Sequence, residues 1–147
     1  MDLKKINIIT NNFFYNSKVL TIESIDSGLI NKTYIIEHLS NGEKSKFILQ
    51  CLSNIFESHE IVNINHKLIT DHIRKKPIMK YLDNQRWEVP SLIRCRANNL
   101  FAFPFGSDFW RAMVYIDETF SSDILEDTTM AYETGLGLAK FHVKCSG

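Results

Sequence analysis

The feature that most constrains this chain is an abrupt change of hydrophobic period near residue 57. Before it lie three runs rich in β-branched and aromatic residues: Val19 to Ile25, Thr33 to Leu39 and Lys46 to Leu52. Asp26-Ser27-Gly28 separates the first two and Ser40-Asn41-Gly42 the last two, so both gaps carry turn chemistry. Asn-Gly is a strong hairpin signal, because both residues tolerate the left-handed backbone that a tight hairpin needs. Three strands joined by tight turns form an antiparallel meander. After it, Glu57 to Lys75 contains neither Gly nor Pro and spaces Ile61, Ile64, Leu68, Ile69 and Ile73 at helical intervals. Ser58 is placed to cap the start of this helix. Arg74, Lys75 and Lys76 suit the negative end of its dipole, and Pro77 stops it.

The remainder follows from the same two periods. Asp2 to Phe14 spaces Leu3, Ile6, Ile9 and Phe13 as a helix, with Asp2 as its N-cap. Trp87 to Arg96 and Asn99 to Phe103 read as two short strands and Trp110 to Ile116 as another. Thr129 to Lys144 reads as a final helix whose apolar face includes Met130, Leu136, Leu138 and Val143. Strands grouped in this way predict an α+β fold rather than a parallel α/β sheet.

Composition sets the outer limits. Hydrophobic residues make up 44% of the 147, enough for a packed core and too many for a disordered chain. Lys plus Arg equals Asp plus Glu at 17 each, so the charge balance asks for neither nucleic acid nor an anionic membrane. The one local imbalance is Ala112 to Ala139, which holds Asp117, Glu118, Asp123, Glu126, Asp127 and Glu133 and no base. It reads as a solvated connector. Cys51, Cys95 and Cys145 are odd in number and far apart, which argues for reduced thiols rather than a disulfide framework or zinc site. No secretory leader or run of ~18 apolar residues is visible, so a cytoplasmic chain is expected.

Three segments are candidates for chemistry. The turn between the first two strands, with Ser27 and Gly28, could present backbone N–H groups to a phosphate, or be a plain hairpin connection. Phe47-Ile48-Leu49-Gln50 puts Ile48 and Gln50 on one face, where Gln50 needs a partner unless it lies at a sheet edge in water. Trp110 to Glu118 is an apolar strand running into a polar connector, whose free backbone groups could meet an adenine edge or water. The five histidines show no metal-ligand spacing and are expected as surface or packing residues.

Taken in order, Ser27-Gly-Leu-Ile-Asn-Lys-Thr-Tyr34, Phe47-Ile-Leu-Gln50, Asn54-Ile-Phe56, Trp110-Arg111 through Glu118 and Gly135-Leu-Gly-Leu-Ala-Lys-Phe-His142 resemble the aminoglycoside phosphotransferase and choline kinase superfamily, most of all its N-acetylhexosamine kinase branch. The resemblance spans roughly Asp2 to His142. It implies a protein-kinase-like small lobe over residues 1–116, an antiparallel sheet of about five strands with one long helix. A hinge over 117–128 and the first helix of a large lobe over 129–147 would follow. It further implies ATP and Mg²⁺ as cofactors and a sugar-like alcohol as acceptor. Carried over by residue, Ser27, Gly28 and Asn31 belong to the phosphate-covering loop. Gln50 stands where many kinases place a phosphate-binding lysine. Glu57 or Glu60 would face it from the helix, and the hinge runs through Tyr115 and Asp117. The family's catalytic base and metal-holding Asp come from an H-G-D-x-x-x-x-N loop and a following strand, and no His-x-Asp tripeptide occurs in the chain. The 147 residues are therefore expected to be inactive alone, and to pair with a complementary C-terminal lobe or self-associate. The alternative is a stand-alone nucleotide- or protein-binding module that reuses the small lobe.

Overall fold

The computed structural model describes residues 2–25, 28–76, 87–120 and 122–146. They form a mixed α+β structure of three helices and one antiparallel six-stranded sheet. Helix α1 (Leu3–Phe13) leads into the meander β1 (Lys18–Ile25), β2 (Lys32–Ser40) and β3 (Glu43–Leu52). Helix α2 (His59–Lys75) follows, then β4 (Leu92–Ile93), β5 (Phe103–Phe105), β6 (Asp108–Val114) and helix α3 (Thr128–Cys145). The sheet order is β1-β2-β3-β6-β4, with β5 paired to β6. The described residues fall into two compact units, Met1–Lys67 with Pro90–Tyr115, and Leu68–Val89 with Ile116–Gly147.

Local sequence accounts for most of the boundaries. The Asp2 carboxylate accepts from the Lys4 N–H at 2.9 Å and starts α1. Asn41 and Gly42 have φ of 52° and 86°, the paired left-handed residues of a type I′ turn, and close β2 onto β3 with Ser40 opposite Glu43. Ser58 Oγ accepts from the Ile61 N–H and caps α2. Asp127 does the same for α3, accepting from the Met130 N–H at 2.7 Å.

The strand readings after residue 87 need correction. In place of a strand over Trp87 to Arg96, only Leu92 and Ile93 pair with β6. Pro90 has no N–H to give a ladder, and the chain leaves the sheet at Arg94. In place of a strand over Asn99 to Phe103, residues 95–100 form a tight loop. Asn99 adopts a φ of 60°, and Asn98 Oδ1 accepts from the Leu100 N–H. Asparagines favour such turns over strands. The pairing strand starts at Phe103, and a two-residue turn with Gly106 at a φ of 63° brings it back as β6 from Asp108.

In the first unit, alternation along the central strands sorts side chains onto two faces. One face, with Ile36, Phe47, Leu49, Trp110 and Ala112, packs under Ile6, Ile9 and Phe13 of α1 into the apolar core. His38 joins it, buried between Phe14 and Phe47, with Ser17 Oγ 2.7 Å from its Nδ1 and Ser45 Oγ 2.9 Å from its Nε2. It is thus a packing residue, as expected. Lys5 of α1 adds an ion pair to Asp108 at 2.7 Å, half exposed and worth under about 1 kcal/mol.

In the second unit, α3 reverses the usual pattern. Its buried residues are Lys140 and Lys144, whereas Tyr132, Leu138, Phe141 and Val143 are exposed. Lys144 Nζ donates to the carbonyls of Ile73 and Lys76 at 3.1 and 3.0 Å and so caps the C-terminal end of α2. Among the described residues, no helix is long and apolar enough to cross a membrane.

Candidate functional site

The opposite face of the sheet is built differently. Thr33, Gln50 and Arg111 occupy one register row across β2, β3 and β6. Their side chains are linked in the same order: Gln50 Nε2 donates to Thr33 Oγ1 at 2.9 Å, and Arg111 Nε donates to Gln50 Oε1 at 2.9 Å. The row continues onto α2, where Arg111 Nη1 donates to Asn63 Oδ1 at 3.2 Å. β3 lies between β2 and β6, so Gln50 is not at a sheet edge. The strand alternation that puts Gln50 on this face thus places a half-buried polar group in the middle of the sheet, and the row satisfies it.

Arg111 is the residue that gives the row its chemistry. Its side chain is buried, at 8% exposure, and burial pulls its proton affinity below the ordinary arginine value. A guanidinium has five N–H donors and no acceptor. Among the described residues its partners are two neutral amide oxygens, and no carboxylate reaches it. Taking a cation out of water without a counter-charge costs several kcal/mol, so this is an expensive arrangement unless an anion is recognised there.

The loop before β2 bears on the same row. A Cβ placed on Gly28 would sit 3.1 Å from the Asn31 carbonyl oxygen and 3.9 Å from Thr33 Oγ1, so the backbone approaches closely there and a larger residue must push it away. Asn31 Oδ1 accepts from the Ser53 N–H at 2.9 Å and ties the loop to the end of β3. His59, the first residue of α2, reaches the same place with its Nε2 donating to the Ser53 carbonyl at 3.2 Å.

Of the sequence-predicted residues, Gly28, Asn31 and Gln50 therefore gather at one end of the β2–β3 pair. Ser27 lies outside the described residues. Glu57 and Glu60 are both exposed, and the partner that Gln50 meets is Arg111 rather than either carboxylate. Tyr115 is half-buried just after β6, with Lys46 Nζ 5.5 Å from its ring centre. Asp117 is exposed and belongs to the second unit. Arg111 and Asn63 were not picked out from the sequence. The available signal was an arginine in the middle of the apolar run Phe-Trp-Arg-Ala-Met-Val.

The donor set suits a phosphate-bearing ligand such as ATP, since it offers donors, one positive charge and a glycine where close approach is needed. It does not suit Mg²⁺, which wants oxygen ligands, usually carboxylates. Among the described residues no group of three or more His, Cys, Asp or Glu could hold a metal ion. No protein-family model matches the chain, and no curated protein matches it in sequence.

Proposed function

We propose that this chain is the ATP-binding N-terminal part of a small-molecule phosphotransferase, similar to the small lobe of the aminoglycoside phosphotransferase and choline kinase superfamily and to its N-acetylhexosamine kinase branch. The observation that carries the reading is Arg111: a buried cation without a carboxylate partner among the described residues, aligned with Gln50 and Thr33 beside the Gly28 loop. Further support comes from the strand order β1-β2-β3-β6-β4 with α2 inserted between β3 and β4, which is compatible with a kinase-like small lobe.

In this reading the chain's own residues bind and orient rather than react. Gly28 lets the loop backbone lie against the nucleotide phosphates. Gln50 contributes a neutral hydrogen bond, weaker than the charge-assisted bond of a lysine. Arg111 supplies the positive charge that Gln50 lacks. Phosphoryl transfer also needs a carboxylate to orient the acceptor hydroxyl and an Asp to hold Mg²⁺. The family draws both from an H-x-D loop, and no such tripeptide is present here. The chain alone is therefore expected to bind nucleotide without turning it over.

Calorimetric titration with ATP tests the reading. The expected result is binding weaker than about 1 μM, because half of a cleft buries little of its ligand. Gly28→Asp is expected to weaken it by at least about tenfold, a loss of ~1.4 kcal/mol, through steric displacement and charge repulsion. Submicromolar affinity, unchanged affinity in the variant, or sugar-dependent ADP release by the 147-residue chain would each count against the proposal.

A further inference from the structure

The loop after β4 is braced by its own hydrogen bonds. Cys95 anchors it in the core, and the Cys95 N–H donates to the Leu100 carbonyl at 2.8 Å. Asn98 spans it, accepting from the Leu100 N–H at 3.0 Å and donating to the Ala102 carbonyl at 2.9 Å. With the first turns of α2 this loop encloses a cavity of about 300 Å³, at the lower end of the range for small-molecule sites. Leu100, Phe101 and Pro104 line it from the loop side, Phe109 from β6 and Ile64 from α2. Leu100 and Ile64 are 51% and 46% exposed, so an apolar ligand here removes from water a surface that the fold leaves wet.

Charge is spread unevenly around this cavity. Arg94 lines the loop wall, with its guanidinium carbon 4.5 Å from the centre of the Phe101 ring and its Nη1 donating to the Asn99 carbonyl at 2.6 Å. These contacts hold the guanidinium in place and use one of its five N–H donors. A carboxylate can take two of the others side by side, and among the described residues no carboxylate pairs with Arg94. Lys67 Nζ lies 5.7 Å from the centre of the same ring, so a second positive charge flanks Phe101. The acid of the lining, Glu60, is on the α2 wall and exposed, where its carboxylate stays hydrated.

We propose that this cavity is a binding site for a small monocarboxylate with an apolar body, its carboxylate accepting from Arg94 at the mouth and its body lying against Leu100, Phe101 and Ile64. The wall is built before the ligand arrives, so little ordering cost is set against binding. The proposal does not rest on the nucleotide reading, since none of these contacts involves Arg111, Gln50 or the Gly28 loop.

The test titrates 3-phenylpropionate and its neutral amide, 3-phenylpropionamide, into the full chain at low salt and follows backbone amide chemical shifts. Both are expected to shift signals in residues 60–64 and 94–109, and the carboxylate is expected to bind about fivefold more tightly, the upper end for an exposed charge pair. Arg94→Gln removes the charge at an exposed position. It is expected to bring the two probes level and to leave the amide's affinity unchanged. Arg111→Met is expected to leave the preference for the carboxylate intact, which separates this site from the nucleotide site. Raising the salt to about 1 M should erase the preference in the natural chain through screening, so the claim stays testable if the Arg94 variant fails to fold. Equal binding of the two probes by the natural chain, binding of neither up to their solubility limits, or a preference that survives Arg94→Gln and disappears in Arg111→Met overturns the proposal.

Discussion

The two faces of the sheet are made from the same strands, one residue out of phase, and they follow opposite rules. Under α1, Phe47, Leu49, Trp110 and Ala112 are buried, the His38 ring has both nitrogens matched by hydroxyls, and the polar atoms left without a partner among the described residues, Trp110 Nε1 and Thr10 Oγ1, are uncharged. Toward α2, neighbouring positions on the same strands are Gln50 and Arg111, and the cation there has amides but no carboxylate among the described residues. The first face is solved for stability. The second leaves charge uncompensated, and the difference indicates which face is available for recognition.

The largest expected effect lies on the first face. Phe47→Ala removes a side chain that is 1% exposed and leaves a cavity between α1 and the sheet. It is expected to cost ~3–5 kcal/mol, read as a lower urea midpoint at unchanged slope. A cost below about 1 kcal/mol would mean that the α1 face is not the stabilising one.

On the second face the sign is expected to reverse. Gln50→Glu supplies the carboxylate that Arg111 lacks, and a hydrogen bond to a charged group contributes ~1.5–3 kcal/mol. Stability should rise while ATP affinity falls, because the new carboxylate neutralises the guanidinium and repels phosphate. Thermal melting and calorimetry on the same sample check both. A variant that is less stable and binds ATP as before would erase the distinction between the faces.

The smallest effect is a pH dependence that both faces share. Burial pushes the proton affinity of His38 and His66 below the ordinary value. For His66, the Pro90 carbonyl works in the opposite direction and Arg111 in the same one. Both are thus neutral in the fold at pH values where the unfolded chain begins to bind protons, below about 6.5. The unfolded state then holds more protons, so stability is full above that value and declines as pH falls through it. Urea midpoints measured from pH 7.5 to 5 should show the decline. His38→Asn and His66→Asn should each remove one face's share, and a flat profile in the natural chain would contradict the assignment.

How much was legible in the sequence follows the range of the forces involved. The Asp2 and Ser58 caps and the Asn41-Gly42 turn act within a few residues, and each could be read from the local string. β4 and β5 could not, because Pro90, Asn98 and Asn99 compete locally with a strand pattern, and only pairing with β6 decides which residues join. The polar row was half visible. Gln50 stood out for its position on a buried-looking strand, but its partner Arg111 is 61 residues away and Asn63 lies on a different element. The family resemblance pointed to Glu57 or Glu60 as the residue facing Gln50, whereas the fold brings an arginine, itself held by an asparagine, instead. In α3 the apolar spacing was read correctly as helical, and Leu138, Phe141 and Val143 of its stripe are exposed, but nothing in the spacing pointed to Lys140 and Lys144 as the buried residues. Long side chains can bury their methylenes while the amine finds backbone carbonyls, and periodicity alone does not reveal that choice.

The most direct test of the central claim is a paired titration of ATP and adenosine into the natural chain and into Arg111→Met. Methionine keeps much of the buried volume and removes the charge. The account predicts that the natural chain binds ATP more tightly than adenosine, and that the variant stays folded and binds the two alike. Equal ATP affinity in both proteins, or no ATP binding by the natural chain, would contradict the claim that the uncompensated cation on this face is there to meet a phosphate.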